Sequence, residues 1–280
     1  MKRRAQPWLG TLVDITINDP ADDRWLDRCM ADAFATIAEI HRLMSFHDPL
    51  SDISRINQAE VGESIDVAAE TCDVLSTALM LNTVSHGIFN ISCASRLVQW
   101  GLLPALQADL PPYVGTDTGL VIDAQRCVRK TRAIAVDLGG IAKGYAVDQA
   151  TAVLQRAGVR SACINAGGDL RVIGAIPFMV SIRDPVTVTA AAREVPVSDQ
   201  AMATSAPYFS KRLDRNQLVC ALVDGRSGQA MTDLQSVSVM APTCMIADAL
   251  TKVILASADV RHPLLSQFDA QAILIEETNC

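Results

Sequence analysis

The chain has 280 residues, half of them apolar and a fifth charged, with a net charge of −7. That is ample for a sizeable core, and the acidic balance argues against nucleic acid or an anionic membrane as the main partner, although one local site can still bind a phosphate ligand. No run approaches the ~18 apolar residues that a membrane helix needs, so no membrane span is expected.

The N-terminal MKRRAQPWLG is basic but has no apolar stretch and no small-residue cleavage site, so it does not read as a signal peptide. LGTLVDITI, at 9–17, alternates polar and apolar side chains and predicts a half-buried strand, broken by Asp19-Pro20. From Asp22 to about Met44 an amphipathic helix is expected, because Leu26, Met30, Ala33, Ile37, Ile40 and Met44 recur at spacings of three and four. His41 and His47 bracket its end and, lacking nearby ligand partners, read as surface or capping histidines. FHDPLSDISRIN, at 46–57, is turn-rich with a short helical turn over 51–56, and a second helix follows at about 68–85. VSHGIFNIS, at 84–92, places a glycine at that helix's end. An apolar segment then reaches Trp100, and residues 103–118 read as a surface loop.

Strands are expected at about 119–122 and 133–137, the second leading into DLGGIAKGYAVD at 137–148. That stretch reads as strand, tight turn and helix. Gly139 and Gly140 allow either positive φ or close approach of the backbone to a ligand. A helix starting just past them would offer unpaired N–H groups to an anion, with Lys143 adding a mobile charge. A plain glycine turn with a surface lysine explains the same residues. It is not a Walker loop, since no Gly-Lys-Ser/Thr follows four spacer residues.

Beyond the helix at 144–157, SACINAGGDLRVIGA (161–175) is strand, glycine turn, strand, and 178–183 is a further strand closed by Asp184-Pro185. Asp169, after Gly167-Gly168, reads as a turn cap or structural carboxylate with no chemistry assigned. More β-like runs lie at 193–197, 201–205, 217–224 and 235–240, then a helix at 247–257 and a final strand at 271–277. Strands mostly adjoin strands and helices come in separate blocks, which predicts an α+β fold with a mixed or antiparallel sheet, taken as one domain over 1–280. The eight cysteines are scattered singly, with no CxxC pair and no zinc spacing. They fit buried apolar roles in a reducing, cytoplasmic setting.

Several segments fall in one order: Gly10-Thr11, LMSFHDPLSDISRIN, SHGIFNIS followed by QWGL, DLGGIAKGYAVD, INAGGDLRVIG, SIRDP, MATSAPY, VDGRSG and ADALTK. Together they resemble the ApbE family of flavin transferases from about residue 9 to 277, and DLGGIAKGYAVD with INAGGDLR is the specific pair. The resemblance implies FAD:protein FMN transfer. FAD is the substrate, its pyrophosphate is split, AMP leaves, and FMN joins a Thr or Ser of an acceptor flavoprotein through a phosphoester, with magnesium required. By the same resemblance, the metal ligands are the Gly140 carbonyl, the Asp248 carboxylate and a nearby hydroxyl, and Asp248 and Lys143 form the catalytic pair. A magnesium ion and a lysine would both stabilise charge on the diphosphate oxygens. Asp137 and Lys143 match FAD-contacting positions, Met44 the residue packing on the flavin, and Ile88, Phe89, Asn90 and Leu222 further flavin contacts. Read alone, Asp248 is equally a helix N-terminal charge favoured by the dipole, and Met44 equally core filler.

Three positions depart from the family pattern. Ala221 stands where the family has a histidine before the apolar pair, and alanine cannot exchange a proton. Lys252 stands four residues after Asp248, where the family has a threonine. Thr251, three residues on, shares the face of Asp248 and can supply the hydroxyl, while Lys252 either replaces some of the metal's charge or simply pairs with Asp248. Asn90 replaces a usual aspartate. Two other readings therefore stay open: a non-catalytic FAD-binding relative (a carrier, sensor or assembly partner) and an FAD pyrophosphatase giving FMN and AMP.

Overall fold

Period-two alternation of apolar side chains produces the central feature, a seven-stranded sheet. The computed structural model describes residues 1–276 apart from 106–108, 116, 186, 188 and 234. The strands are β1 (Lys2–Trp8), β2 (Thr11–Ile17), β3 (Ala162–Ala166), β4 (Asp169–Ile173), β5 (Ala201–Ser205), β6 (Gln235–Ala241) and β7 (Gln271–Glu276). They lie side by side in that order, and each neighbouring pair is antiparallel. Val13, Ile15 and Ile17 of β2, Ile164 of β3, Ala201 and Ala203 of β5, and Val237 and Val239 of β6 face one core. Leu170 and Val172 of β4 and Met202 of β5 face the other way, onto a hairpin of Phe178–Arg183 and Ala191–Val197. The inner strands β4 and β5 thus sort their side chains between two apolar layers.

Seven α-helices accompany the sheet among the described residues: α1 (Asp23–Met44), α2 (Asp52–Gln58), α3 (Ala69–Val84), α4 (Ala94–Gln99), α5 (Ala142–Arg156), α6 (Cys244–Ser257) and α7 (Pro263–Gln267). The buried stripe of α1 runs through Leu26, Met30, Ala33, Ile37, Ile40 and Met44, and Asp22 caps its N-terminus by accepting from Arg24 and Trp25 N–H. Helices α5 and α6 pack on the sheet and on each other, and α1 packs on α5. None of the described helices is long and apolar enough to cross a membrane.

The structure differs from the sequence reading at several elements. β1 pairs along all of β2 although Lys2–Trp8 lacks apolar alternation. It is held by backbone pairing, by charged contacts such as Arg3 to Asp14 at 2.5 Å and Lys2 to Asp27 at 2.8 Å, and at its end by Trp8, which packs against the core. Residues 133–137 belong to no strand. The Asn57 side chain takes the backbone groups of Val136, donating to its carbonyl at 2.9 Å and accepting from its N–H at 2.7 Å, and Asp137 N–H donates to Ile91 O. The strand there is Cys127–Lys130, paired with Leu120–Ile122 and Ser64–Asp66. The run 217–224 splits into Gln217–Val219 and Val223–Asp224, and α6 begins three residues before its expected start at 247. Glu277 lies outside the described residues.

Candidate active site

A cleft of about 610 Å³ opens where the end of α1, the 88–93 segment, the 137–143 turn, the β3–β4 turn and the end of β5 converge. Met44, Ile88, Phe89 and Leu222 give it apolar walls, and Asp137, Lys143, Asp169 and Lys252 line it as charged groups. Of the residues singled out in the sequence, Met44, Ile88, Phe89, Asn90, Asp137, Gly140, Lys143 and Leu222 all border this space. Asp248 and Thr251 do not border it; both are fully buried just beneath.

The turn that feeds α5 is built without positive φ at Gly139 or Gly140. Nor does crowding demand glycine at Gly140, whose surroundings would meet a side chain at ordinary contact distance. A Cβ on Gly140 would touch Lys252 Cε at 3.4 Å and the Phe89 ring at 3.7 Å, and one on Gly139 would crowd the Asp137 carboxylate at 2.9 Å. Asp137 accepts from Gly139 N–H at 3.0 Å; burial pushes its pKa up, against that hydrogen bond and the charge of Lys143.

Lys143, in the first turn of α5, reaches three acceptors: Asp169 Oδ2 at 2.7 Å, Asp248 Oδ2 at 3.2 Å and the Gly139 carbonyl at 3.2 Å. Burial works to lower the pKa of Lys143, but the two carboxylates more than reverse that, so the ammonium is held charged. Asp248 lies in the second turn of α6, not at its end. Its Oδ1 accepts from Lys252 Nζ, and its Oδ2 accepts from Lys143 and from Gly144 N–H at 3.3 Å. Burial raises the Asp248 pKa, and the two lysines outweigh burial and hold it below the usual carboxylate value. Asp169 moves the other way: burial first, then the charge of Asp248, push it up against Lys143 and Lys252. The anion at the start of α5 is therefore the protein's own Asp248, which takes a backbone N–H that the sequence reading offered to a ligand.

The helix-dipole role considered for Asp248 belongs instead to Asp148 of α5. Its two oxygens accept from Cys244 and Met245 N–H, each at 2.8 Å, at the very start of α6. Asn90 is also committed internally. Its Oδ1 accepts from Ser92 N–H at 2.9 Å and its Nδ2 donates to the Gly115 carbonyl at 2.9 Å, which an aspartate could not do. Ala221 lines the cleft, as do His41 and His47, whereas His86 stands exposed and is no part of it. Asp169 is the site residue that sequence reasoning passed over. Its only signal was the Gly-Gly turn that turns β3 back into β4 and so sets Asp169 against α5.

These donors do not fit a divalent ion as they stand. Magnesium asks for oxygen ligands with free lone pairs at about 2.0–2.1 Å. Both Asp248 oxygens are taken by ammonium groups, and its main-chain carbonyl accepts from Lys252 at 2.9 Å and from Thr251 at 2.6 Å. The Thr251 hydroxyl, its proton given to that carbonyl, accepts from Ser205 at 2.7 Å. Among the described residues no three His, Cys, Asp or Glu side chains gather as a metal site.

The chain is similar to known proteins over most of its length. A profile of the ApbE family matches residues 9–273. The FAD:protein FMN transferase of Vibrio cholerae is 26% identical, with 96% of this chain and 85% of that protein aligned. The protein of the same name from Haemophilus influenzae is 26% identical over 78% of this chain and 69% of its own. Among solved structures, the ApbE protein of Thermotoga maritima superposes with a TM-score of 0.86 at 22% identity, covering 100% of this chain and 95% of that one. The flavin transferase ApbE from Vibrio cholerae gives 0.80 at 24% identity, covering 99% and 94%. At these identities the superpositions carry the fold.

Proposed function

This chain belongs to the ApbE family, and from that premise we propose that it transfers FMN from FAD to a threonine or serine hydroxyl of an acceptor flavoprotein. The observation that carries the reading is one cleft joining two chemistries. Met44, Ile88, Phe89 and Leu222 offer an apolar bed for the ring system, and Lys143 and Lys252 stand at its charged end for the diphosphate. The names of the relatives, FAD:protein FMN transferase, support the same assignment.

In the proposed step the acceptor oxygen attacks the phosphorus on the FMN side of the pyrophosphate. The bond from that phosphorus to the bridging oxygen breaks, AMP leaves carrying the bridging oxygen, and the hydroxyl proton is released. Lys143, its three N–H groups held by Gly139, Asp169 and Asp248, would act on charge building on the phosphoryl oxygens through its field alone, from a fixed position. Asp137 would orient the nucleotide beside it. The resemblance also brings magnesium on Gly140, Asp248 and Thr251; the Asp248 and Thr251 oxygens are already engaged by Lys143, Lys252 and Ser205, and no step is routed through the metal. A cytoplasmic place of action is part of the proposal and agrees with the seven unpaired cysteines among the described residues.

Ala221 keeps a second reading in play. With no imidazole at that wall of the cleft, the protein would bind FAD without transferring FMN, or would pass the phosphoryl group to water. Incubation with FAD and a candidate acceptor, with AMP and acceptor mass both measured, separates the three. AMP together with an FMN mass on the acceptor is expected. AMP alone means a pyrophosphatase, and tight FAD binding with neither product means a carrier.

A further inference from the structure

Resting on the flavin-nucleotide reading, we infer that the Lys252 ammonium occupies the seat of a divalent ion, so that this protein holds the diphosphate of its nucleotide without metal. Lys252 Nζ donates to Asp248 Oδ1 and to the Asp248 carbonyl, and its side chain is only 12% exposed. An ammonium has three N–H donors. Lys143 spends all three, on Gly139, Asp169 and Asp248. Lys252 spends two on described groups and borders the cleft, which leaves one donor for a phosphate oxygen.

A magnesium ion could reach Asp248 Oδ1 only by expelling Lys252. The displaced ammonium would then lie near a doubly charged ion where little water screens them. With Lys252 in place Asp169 and Asp248 are matched by two ammonium groups, so no further cation is needed to hold these two carboxylates side by side. The tether also differs from an ion. Lys252 is anchored four residues from Asp248 on one helix, so its position does not depend on metal concentration.

FAD binding followed by flavin fluorescence, in EDTA and in millimolar magnesium, tests this. Wild-type affinity is expected to differ by no more than about threefold between the two, because a tethered charge replaces an exchangeable one. Lys252→Thr frees the carboxylate and adds a hydroxyl. Its affinity in EDTA should fall by about tenfold or more, the scale of a lost charge-assisted hydrogen bond, and should recover when magnesium is added. Should that variant fail to fold, wild-type protein with FAD is titrated with manganese and observed by electron paramagnetic resonance, where no bound ion is expected. Wild-type binding that requires magnesium, or a stoichiometric manganese signal, overturns the inference and leaves the flavin reading intact. Absence of FAD binding under both conditions overturns the flavin reading and the inference with it.

Discussion

The Asp248 carboxylate touches no water and faces two ammonium groups and a backbone N–H. Removing it would strand both lysines in a poorly solvated place, and breaking a buried pair from one side typically costs about 3–5 kcal/mol. Asp248→Ala is therefore expected to abolish AMP release and FMN labelling and to lower the melting temperature, seen by product assay and thermal denaturation. Unchanged labelling would remove Asp248 from the site. Ala221 offers the opposite experiment. It lines the cleft at the position where the family resemblance implies a histidine, and general acid–base help is worth about 10²–10⁴ in rate. Ala221→His should raise single-turnover FMN transfer by about 10² if proton transfer limits the step, and an unchanged rate would show that it does not. At this scale the sequence named residues that gather at or just beneath the cleft, because DLGGIAKGYAVD and ADALTK are contiguous. It could not give Asp169 a role, since its partner Lys143 lies on another element.

Helices α5 and α6 set the geometry of the charged cluster by lying unusually close. A Cβ at Gly144 would meet the Cys244 carbonyl oxygen at 2.3 Å and Met245 Cα at 2.7 Å, both backbone atoms that cannot step aside. Gly144→Ala should force the helices apart, cost about 1–3 kcal/mol as overpacking, and weaken FAD binding by shifting Asp248 away from Lys143. Normal stability with normal binding would mean that the pair tolerates separation. The same helices meet through Asp148, whose carboxylate caps α6 while burial pushes its pKa up to about 6, against the Met245 and Cys244 N–H bonds. The unfolded value is near 3.9, so between the two the folded protein holds a proton that the unfolded chain lacks. This contribution to stability is present below about 4 and is lost as pH rises through about 6. Asp148→Asn removes that titration, so the melting temperature of the variant relative to wild type should climb between those pH values. A constant difference would place the Asp148 pKa at its ordinary value. The helix period revealed α1 and most of α5, and the strand alternation revealed β2 to β7. β1 escaped because an edge strand held by pairing and charge shows no apolar alternation.

On the scale of the molecule, the cleft draws on residues from Leu9 to Lys252, and the largest apolar cluster runs from Val13 to Ala270. A ligand in such a cleft stabilises every segment that builds it. FAD at a hundredfold its dissociation constant should add about 2.7 kcal/mol and shift one thermal transition as a unit. Two transitions, only one of them moved by FAD, would show that the cleft belongs to part of the chain.

By itself the sequence determined the α+β class and the family likeness, and it named eight residues that border the cleft, because alternation, helical period and short motifs are local and survive without coordinates. The tertiary structure alone decided that Lys252 rather than a free hydroxyl meets Asp248, that Asp169 completes the cluster, and that Asp148 takes the helix-capping role. The Asp169 and Asp148 outcomes depend on the approach of the β3–β4 turn to α5 and of α5 to α6, whereas Lys252 meets Asp248 within one helix, a pairing that the spacing had offered as one of two alternatives. Charges separated by about a hundred residues in the chain become neighbours only through that packing, and their pairing then fixes which groups remain free to meet a ligand.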